Sequence, residues 1–301
     1  MEQIKVKSGG TRLDSFLSKH FDGAHTRSQI INAIKSGEIL LNGEIAKQGA
    51  IVKTGNIITV DFKPFDENAP ATPEDIPLDI VFEDNNLMIV NKARGMVTHP
   101  GNGNRSGTLL NALLFKLKGA NVDRAGLVHR LDKNTAGLMV VAKTARAQER
   151  LAKMMEKHDV NRVYNGLLEG RLEGSGTINK PIIRDQTNRT IYTTGSGNGA
   201  RHATTHYETL AHYRLGERVY TLAKFKLETG RTHQIRVHAK SIGHPLVGDP
   251  EYNPKSSLRA TGQLLESVEI SFIHPITKKE ISFKINPSAE FDEILRKLKP
   301  F

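Results

Sequence analysis

The chain has 301 residues, 38% hydrophobic and 25% charged; this is apolar material for a sizeable core and length for about two domains, and it excludes a disulfide-stapled miniprotein or a disordered tail. The 43 Lys and Arg outnumber the 32 Asp and Glu, a formal net charge of +11 that favours a polyanionic partner. With 0 Cys, structural disulfides, Cys-ligated zinc, iron–sulfur clusters and a Cys nucleophile are excluded, and a reducing compartment fits.

The start, Met1 to Lys7, has no apolar h-region, and no apolar run nears the roughly 18 residues of a membrane span, so a cytoplasmic protein without a membrane partner is expected. Residues 1–64 read as a compact basic module. Leu13, Phe16 and Leu17 recur at helical spacing around Asp14, whose charge suits a helix start. A Thr26-x-x-Gln29 capping box opens a second helix with Ile30, Ile31 and Ile34 on one face, and Gly37 is placed to end it. Ile39 to Leu41 then reads as a strand entering an Asn42-Gly43 hairpin, with a last strand after Gly55-Asn56. Residues 65–75, with Pro70 and Pro73 among acidic and small residues, read as a linker.

Residues 76–301 are long enough for a substantial second domain. Strands are expected at Leu78 to Phe82, Leu87 to Val90, Gly137 to Ala142 and Val219 to Leu227, with a hairpin of Val268 to Phe272 and Ile281 to Ile285. Ala147, Leu151, Met154 and Met155 fit an amphipathic helix. Strands and helices mix without a βαβ rhythm, so the expected class is α+β with a mixed, mainly antiparallel sheet.

The densest polar constellation is Gly126 to Gly137, with His129-Arg130-Leu131-Asp132-Lys133 between two apolar strands. Asp132, flanked by Arg130 and Lys133, reads either as an ionised nucleophile or base or as part of a surface turn with an incidental ion pair. A second constellation, Glu228 to His238, follows a strand and is expected to wind into a helix whose first turn presents Arg231, His233 and Gln234. Its Arg231 and Arg236 either grip a carboxylate or phosphate or are solvated charges. Tyr164, expected at the start of a strand, either stacks on a base or packs in the core. His202, His206, His212, His233 and His238 carry no complete metal-ligand set, and the Gly-rich stretches at 101–107 and 195–199 lack a P-loop ending.

Taken together, His129-Arg130-Leu131-Asp132 with Thr135 and Gly137, the run Thr229 to His238, Gly243 to Asp249, and the upstream Asn91-Lys92-Ala93-Arg94-Gly95 to Pro100 resemble the RluA family of pseudouridine synthases. The N-terminal module, with Arg12-Leu13-Asp14, Thr26-Arg27, Asn42-Gly43 and Gly55, is similar to the S-four (alpha-L) RNA-binding domain, and the pairing resembles the large-subunit ribosomal RNA branch of the family. The resemblance implies an RNA isomerase in which Asp132 acts at the sugar–base bond of a uridine, either forming an adduct at the sugar or acting on the 2′ position. The freed uracil re-bonds through carbon 5, a reaction needing no redox cofactor, nucleotide or metal.

It further implies that Arg231 pairs with Asp132, that Tyr164 stacks on the target base, and that Arg130 helps hold the RNA stack open. His129, Lys133, Lys92, Arg105 and Arg236, with Arg12 and Arg27 in the N-terminal module, are the implied RNA contacts. The implied partner is large-subunit ribosomal RNA, with transfer RNA as the alternative substrate, and the chain is expected to act as a monomer. A non-catalytic RNA-binding protein is the competing reading. Three places depart from the family pattern: Arg162 where Lys is usual, Gly166 where Ala is frequent, and Leu265-Glu266-Ser267 for Leu-His-Ala.

Overall fold

The computed structural model describes residues 2–22, 25, 27–47, 49–61, 71–101, 104, 106–188 and 190–301; Thr26, Arg105 and residues 65–70 of the expected linker lie outside them. The chain divides into two units, Met1–Thr72 with Pro100–Ser106, and Pro73–His99 with Gly107–Phe301.

In the first unit, β1 (Glu2–Lys5), α1 (Leu13–His20), α2 (Arg27–Ser36), β2 (Ile39–Leu41), β3 (Glu44–Ile45) and β4 (Ile57–Val60) build an antiparallel sheet of order β1-β4-β2-β3 under two helices. Leu13, Leu17, Ile30 and Ile34 from the helices pack on Val6, Ile39, Val52 and Ile58. The hairpin between β2 and β3 needs two residues at positive φ, and Asn42 (φ 54°) and Gly43 (φ 85°) supply them. The Asn42 side chain also accepts a hydrogen bond from the Ile57 N–H at 2.9 Å, tying the turn to β4.

The second unit holds β5 (Asp79–Glu83), β6 (Leu87–Lys92), α3 (Leu109–Lys116), β7 (Ala136–Ala142), α4 (Ala145–Glu156), β8 (Val160–Glu169), β9 (Ser175–Asn179), β10 (Ile182–Arg184), β11 (Tyr192–Thr194), β12 (Thr204–Leu215), β13 (Arg218–Leu227), α5 (Gln234–Ser241), β14 (Leu265–Ile273), β15 (Glu280–Lys284), α6 (Ala289–Arg296) and β16 (Lys299–Pro300). Ten strands form one sheet along β16-β12-β13-β8-β14-β7-β6-β5, with β9 on β12 and β15 on β14, while β10 and β11 make a separate ribbon. The β7–β14 contact is parallel and the other pairings of this sheet are antiparallel, which is the expected mixed, mainly antiparallel arrangement.

Every residue of β7 is buried, because both faces of this central strand are covered. Met139 and Val141 face a core shared with Leu109, Leu113, Tyr164, Phe225 and Ile235. Leu138 and Val140 face the opposite core, where α4 lays down Ala147 and Leu151. At the first residues of β7 the backbones approach so closely that a Cβ on Gly137 (φ +114°) would lie 2.2 Å from the Ser267 carbonyl oxygen. Gly166 has a similar cause: a Cβ there would sit 2.8 Å from Leu246 Cδ2 and 3.0 Å from Phe225 Cε2, so these side chains fill the space a methyl group would need. Among the described residues no helix is long and apolar enough to cross a membrane.

Candidate active site

Asp132 lies on the loop that leads into β7, and the segment 92–98 fixes that loop from below. Thr98 Oγ1 donates to the Leu131 carbonyl at 2.7 Å and accepts the Leu131 N–H at 3.3 Å. The Lys133 carbonyl accepts from the Gly95 N–H at 2.9 Å and from Lys92 Nζ at 3.2 Å, and Arg94 Nη1 donates to the Asn134 carbonyl at 2.7 Å. Both flanks of Asp132 are therefore held by backbone bonds while its carboxylate, 17% exposed, stays open to the cleft. The motif Asn91 to Pro100 serves this clamp.

Across the cleft, α5 brings Arg236 to Asp132, with Nη1 3.3 Å from Oδ2. The guanidinium is 3% exposed and carries two further acidic partners. Asp249 takes it bidentately, Nε to Oδ2 at 2.7 Å and Nη2 to Oδ1 at 2.8 Å, and Glu251 meets Nη2. Such charge-assisted bonds hold the Arg236 pKa above its usual value against the opposing pull of burial. His233, at 3.9 Å from Asp132 through Nε2, exchanges a hydrogen bond with Tyr252 through Nδ1 at 2.9 Å; burial lowers its pKa.

The cleft has a volume of about 560 Å³ and is lined by the Asp132 loop, the end of α4, Arg162 and Tyr164 of β8, and residues 230–236. Tyr164 sits in mid-strand, opposite Phe225 on β13 and Ser267 on β14, and is 4% exposed. Burial raises its phenol pKa, with Asp132 adding to the effect, so the hydroxyl keeps its proton. His129 turns inward and accepts the Val140 N–H on Nε2 at 3.1 Å. Burial, reinforced by Arg162, lowers its pKa to about 3, so it is neutral and braces β7.

Several sequence expectations are corrected here. Arg231 does not reach Asp132: it is exposed, and its Nε donates to the His202 carbonyl at 3.0 Å. The helix starts at Gln234, three residues later than Arg231, because His233 adopts a left-handed conformation (φ 57°) and Gln234 is locked by Thr229, the Arg231 N–H and the Thr204 carbonyl. Arg236 is thus the inward-facing arginine, 3% exposed at the cleft wall rather than on the open surface. Lys92, expected at the RNA, is 2% exposed, with Nζ donating to the carbonyls of Ala93, Met96 and Lys133. Burial lowers its pKa to about 7, but three acceptors call for the three N–H donors of an ammonium.

Arg130 and Lys133 are exposed beside Asp132. In the first unit, Arg12 and Arg27 both grip Asp14, Nε to Oδ1 at 3.0 Å and Nε to Oδ2 at 2.8 Å, while remaining 48% and 58% exposed. Asp14 is 2% exposed, and the hydrogen bond from Arg12 leads the lowering of its pKa. The unusual Glu266 meets Arg94 Nη2 at 2.9 Å, and Arg94 Nε meets Glu290 at 3.0 Å, so this departure belongs to the clamp. Among the described residues no group of three His, Cys, Asp or Glu is arranged to hold a metal. A signal for Arg236 was present in the sequence: an arginine between Ile235 and Val237 needs a buried acid, and Asp249 follows 13 residues on.

Residues 86–241 match the family described as RNA pseudouridylate synthase, and residues 11–58 match the S4 domain. The chain belongs to the RNA pseudouridylate synthase family, isomerases of RNA uridine, and it carries an S4 domain. It is 40% identical over 291 residues to ribosomal large subunit pseudouridine synthase D of Escherichia coli (strain K12), covering 91% of this chain and 86% of that one. The Vibrio cholerae protein of the same name is 40% identical over 297 residues, covering 94% and 89%. Among solved structures, human RNA pseudouridylate synthase domain containing 1 superposes with a TM-score of 0.61 at 24% identity, covering 75% of this chain and 89% of that one, a likeness of fold.

Proposed function

We propose that this protein converts specific uridines of large-subunit ribosomal RNA to pseudouridine, with Asp132 acting at the sugar–base bond. The observation that carries the assignment of Asp132 is its ion pair with Arg236: a carboxylate held on both flanks and oriented by a buried guanidinium, yet open to a cleft of small-molecule size. Arg236 takes the pairing role and holds Asp132 against rotation. Tyr164, buried and protonated at the cleft floor, offers its ring to the uracil.

A uridine stacked in a helix cannot present its glycosidic bond to a carboxylate, so the target base leaves the stack. Arg130 and Lys133, exposed next to Asp132, and Arg231 at the mouth are positioned for the RNA around it. Residues 76–301 act as the catalytic domain, and residues 1–64 add phosphate contacts through Arg12 and Arg27, whose guanidiniums stay exposed over Asp14. Asp132, Tyr164 and Arg236 come from one chain, which supports action as a monomer. The names of the relatives support the ribosomal substrate.

The test is pseudouridine mapping at single-nucleotide resolution on total RNA from wild-type, deletion and Asp132→Asn strains. Loss of the same discrete large-subunit sites in both mutant strains is the expected result. An unchanged map, with defective ribosome assembly in the deletion alone, makes the protein an RNA binder and removes Asp132 from its role.

A further inference from the structure

Two guanidiniums approach the cleft from within the fold. That of Arg236 is matched by Asp132, Asp249 and Glu251. That of Arg162 is different: it lines the cleft and is 8% exposed, its Nε is buried without an acceptor, and among the described residues its side chain has no ion-pair or hydrogen-bond partner. An unpaired buried cation is costly, and a folded chain gains nothing from it unless a ligand completes the site.

Its position says which part of a ligand it meets. Arg162 precedes Tyr164 by two residues on β8, so the two side chains leave the same face of the strand about 7 Å apart. Opposite it, Gly230 carries no side chain; a Cβ there would lie 3.4 Å from Nη1 and 3.6 Å from Nη2, so glycine leaves these donors uncovered. Neighbouring His129 is neutral and cannot repel it. A guanidinium this deep, beside the ring that takes the base, faces the base rather than the RNA backbone outside.

We propose that Arg162 receives the uracil of the target nucleotide, donating to a base carbonyl oxygen and stabilising the negative charge the base carries while it is detached. This rests on the uridine-isomerising reading of the site. When the N1–C1′ bond breaks, its electron pair leaves with the base, and the charge spreads over N1 and the two carbonyl oxygens. When C5 bonds to C1′ that pair is returned; the C5 proton is then lost and N1 gains one, so the sequence is a net isomerisation. A fixed donor aimed at charge that exists only during detachment lowers the barrier more than it tightens binding.

The experiment compares wild type, Arg162→Gln, Arg162→Lys and Arg162→Met on a large-subunit RNA fragment containing a uridine the wild type converts. Expected for Arg162→Gln is a single-turnover rate about 100-fold lower with RNA affinity and its salt slope unchanged, and partial rescue in Arg162→Lys. Arg162→Met should melt no lower than wild type, because it removes an unpaired charge. A full rate in Arg162→Gln overturns the proposal. So does a salt slope reduced by about one with a normal bound-state rate, which places the guanidinium on a phosphate. A lowered melting temperature in Arg162→Met also overturns it, in favour of a structural role. If the wild type converts no uridine, it is the function reading that fails; an active wild type, an inactive Asp132→Asn and a full-rate Arg162→Gln reject this inference alone.

Discussion

Arg236 Nη1 and Asp132 Oδ2 lie 3.3 Å apart although 104 residues separate them in the chain. The pair joins the loop before β7 to the first turn of α5. Removing the guanidinium strands Asp132, Asp249 and Glu251 together, so Arg236→Ala should destabilise the protein by about 3–5 kcal/mol and abolish turnover. Arg231→Gln should leave stability within about 0.5 kcal/mol and lower only RNA affinity. Urea denaturation with single-turnover assays separates them; a larger catalytic loss in Arg231→Gln than in the conservative Arg236→Lys returns the pairing role to Arg231.

Lys92 holds the carbonyls of Met96 and Lys133 from the interior. Lys92→Met keeps the volume but leaves the Met96 carbonyl without its donor, at about 1–3 kcal/mol, while the Lys133 carbonyl keeps the Gly95 N–H. The expected outcome is a lower melting temperature and a slower chemical step with unchanged RNA affinity. Weakened RNA binding with intact stability would show that Lys92 faces the RNA after all.

The Arg94–Glu266 pair is buried on both sides, at 11% and 2% exposure. Arg94→Met, which strands the buried Glu266, should cost about 3–5 kcal/mol, Glu266→Met less because Arg94 keeps Glu290, and the double variant clearly less than the sum of the two. Simple additivity in denaturant midpoints contradicts the coupling.

His129 is neutral in the fold, with a pKa near 3 against about 6.5 when unfolded. Its folded pKa is depressed, so its contribution to stability is intact above about pH 6.5 and is lost progressively as pH falls toward 3. Between pH 6 and 5 the unfolded state binds the extra proton, and stability should fall by up to about 1.4 kcal/mol per pH unit from this group. In His129→Gln that part of the slope should disappear; an identical pH profile sinks the assignment.

Local signals in the sequence settled much of the fold. Asn42-Gly43 specified a turn because few other residues tolerate two positive φ values, and the unbroken apolar run at β7 marked a strand, which the fold then buries on both faces. Asp132 stood out as an acid between cations in a polar loop, and Tyr164 entered through its motif. Periodicity could place neither Arg231 nor Arg236 with respect to Asp132. A left-handed His233 delayed the helix by three residues and turned a different arginine inward.

The sequence by itself determined the two-part organisation of signals and the mixed α+β character, since each rests on residue type and short-range spacing; Asp132 and Tyr164 were singled out for the site by the family resemblance, the pattern alone leaving a surface-turn or core reading open. The tertiary structure alone decided which cations are sealed and which are open. Lys92 and Arg236 became internal ties, and Arg162 was left buried without a partner among the described residues, because burial and pairing depend on what distant segments bring to the same few ångströms.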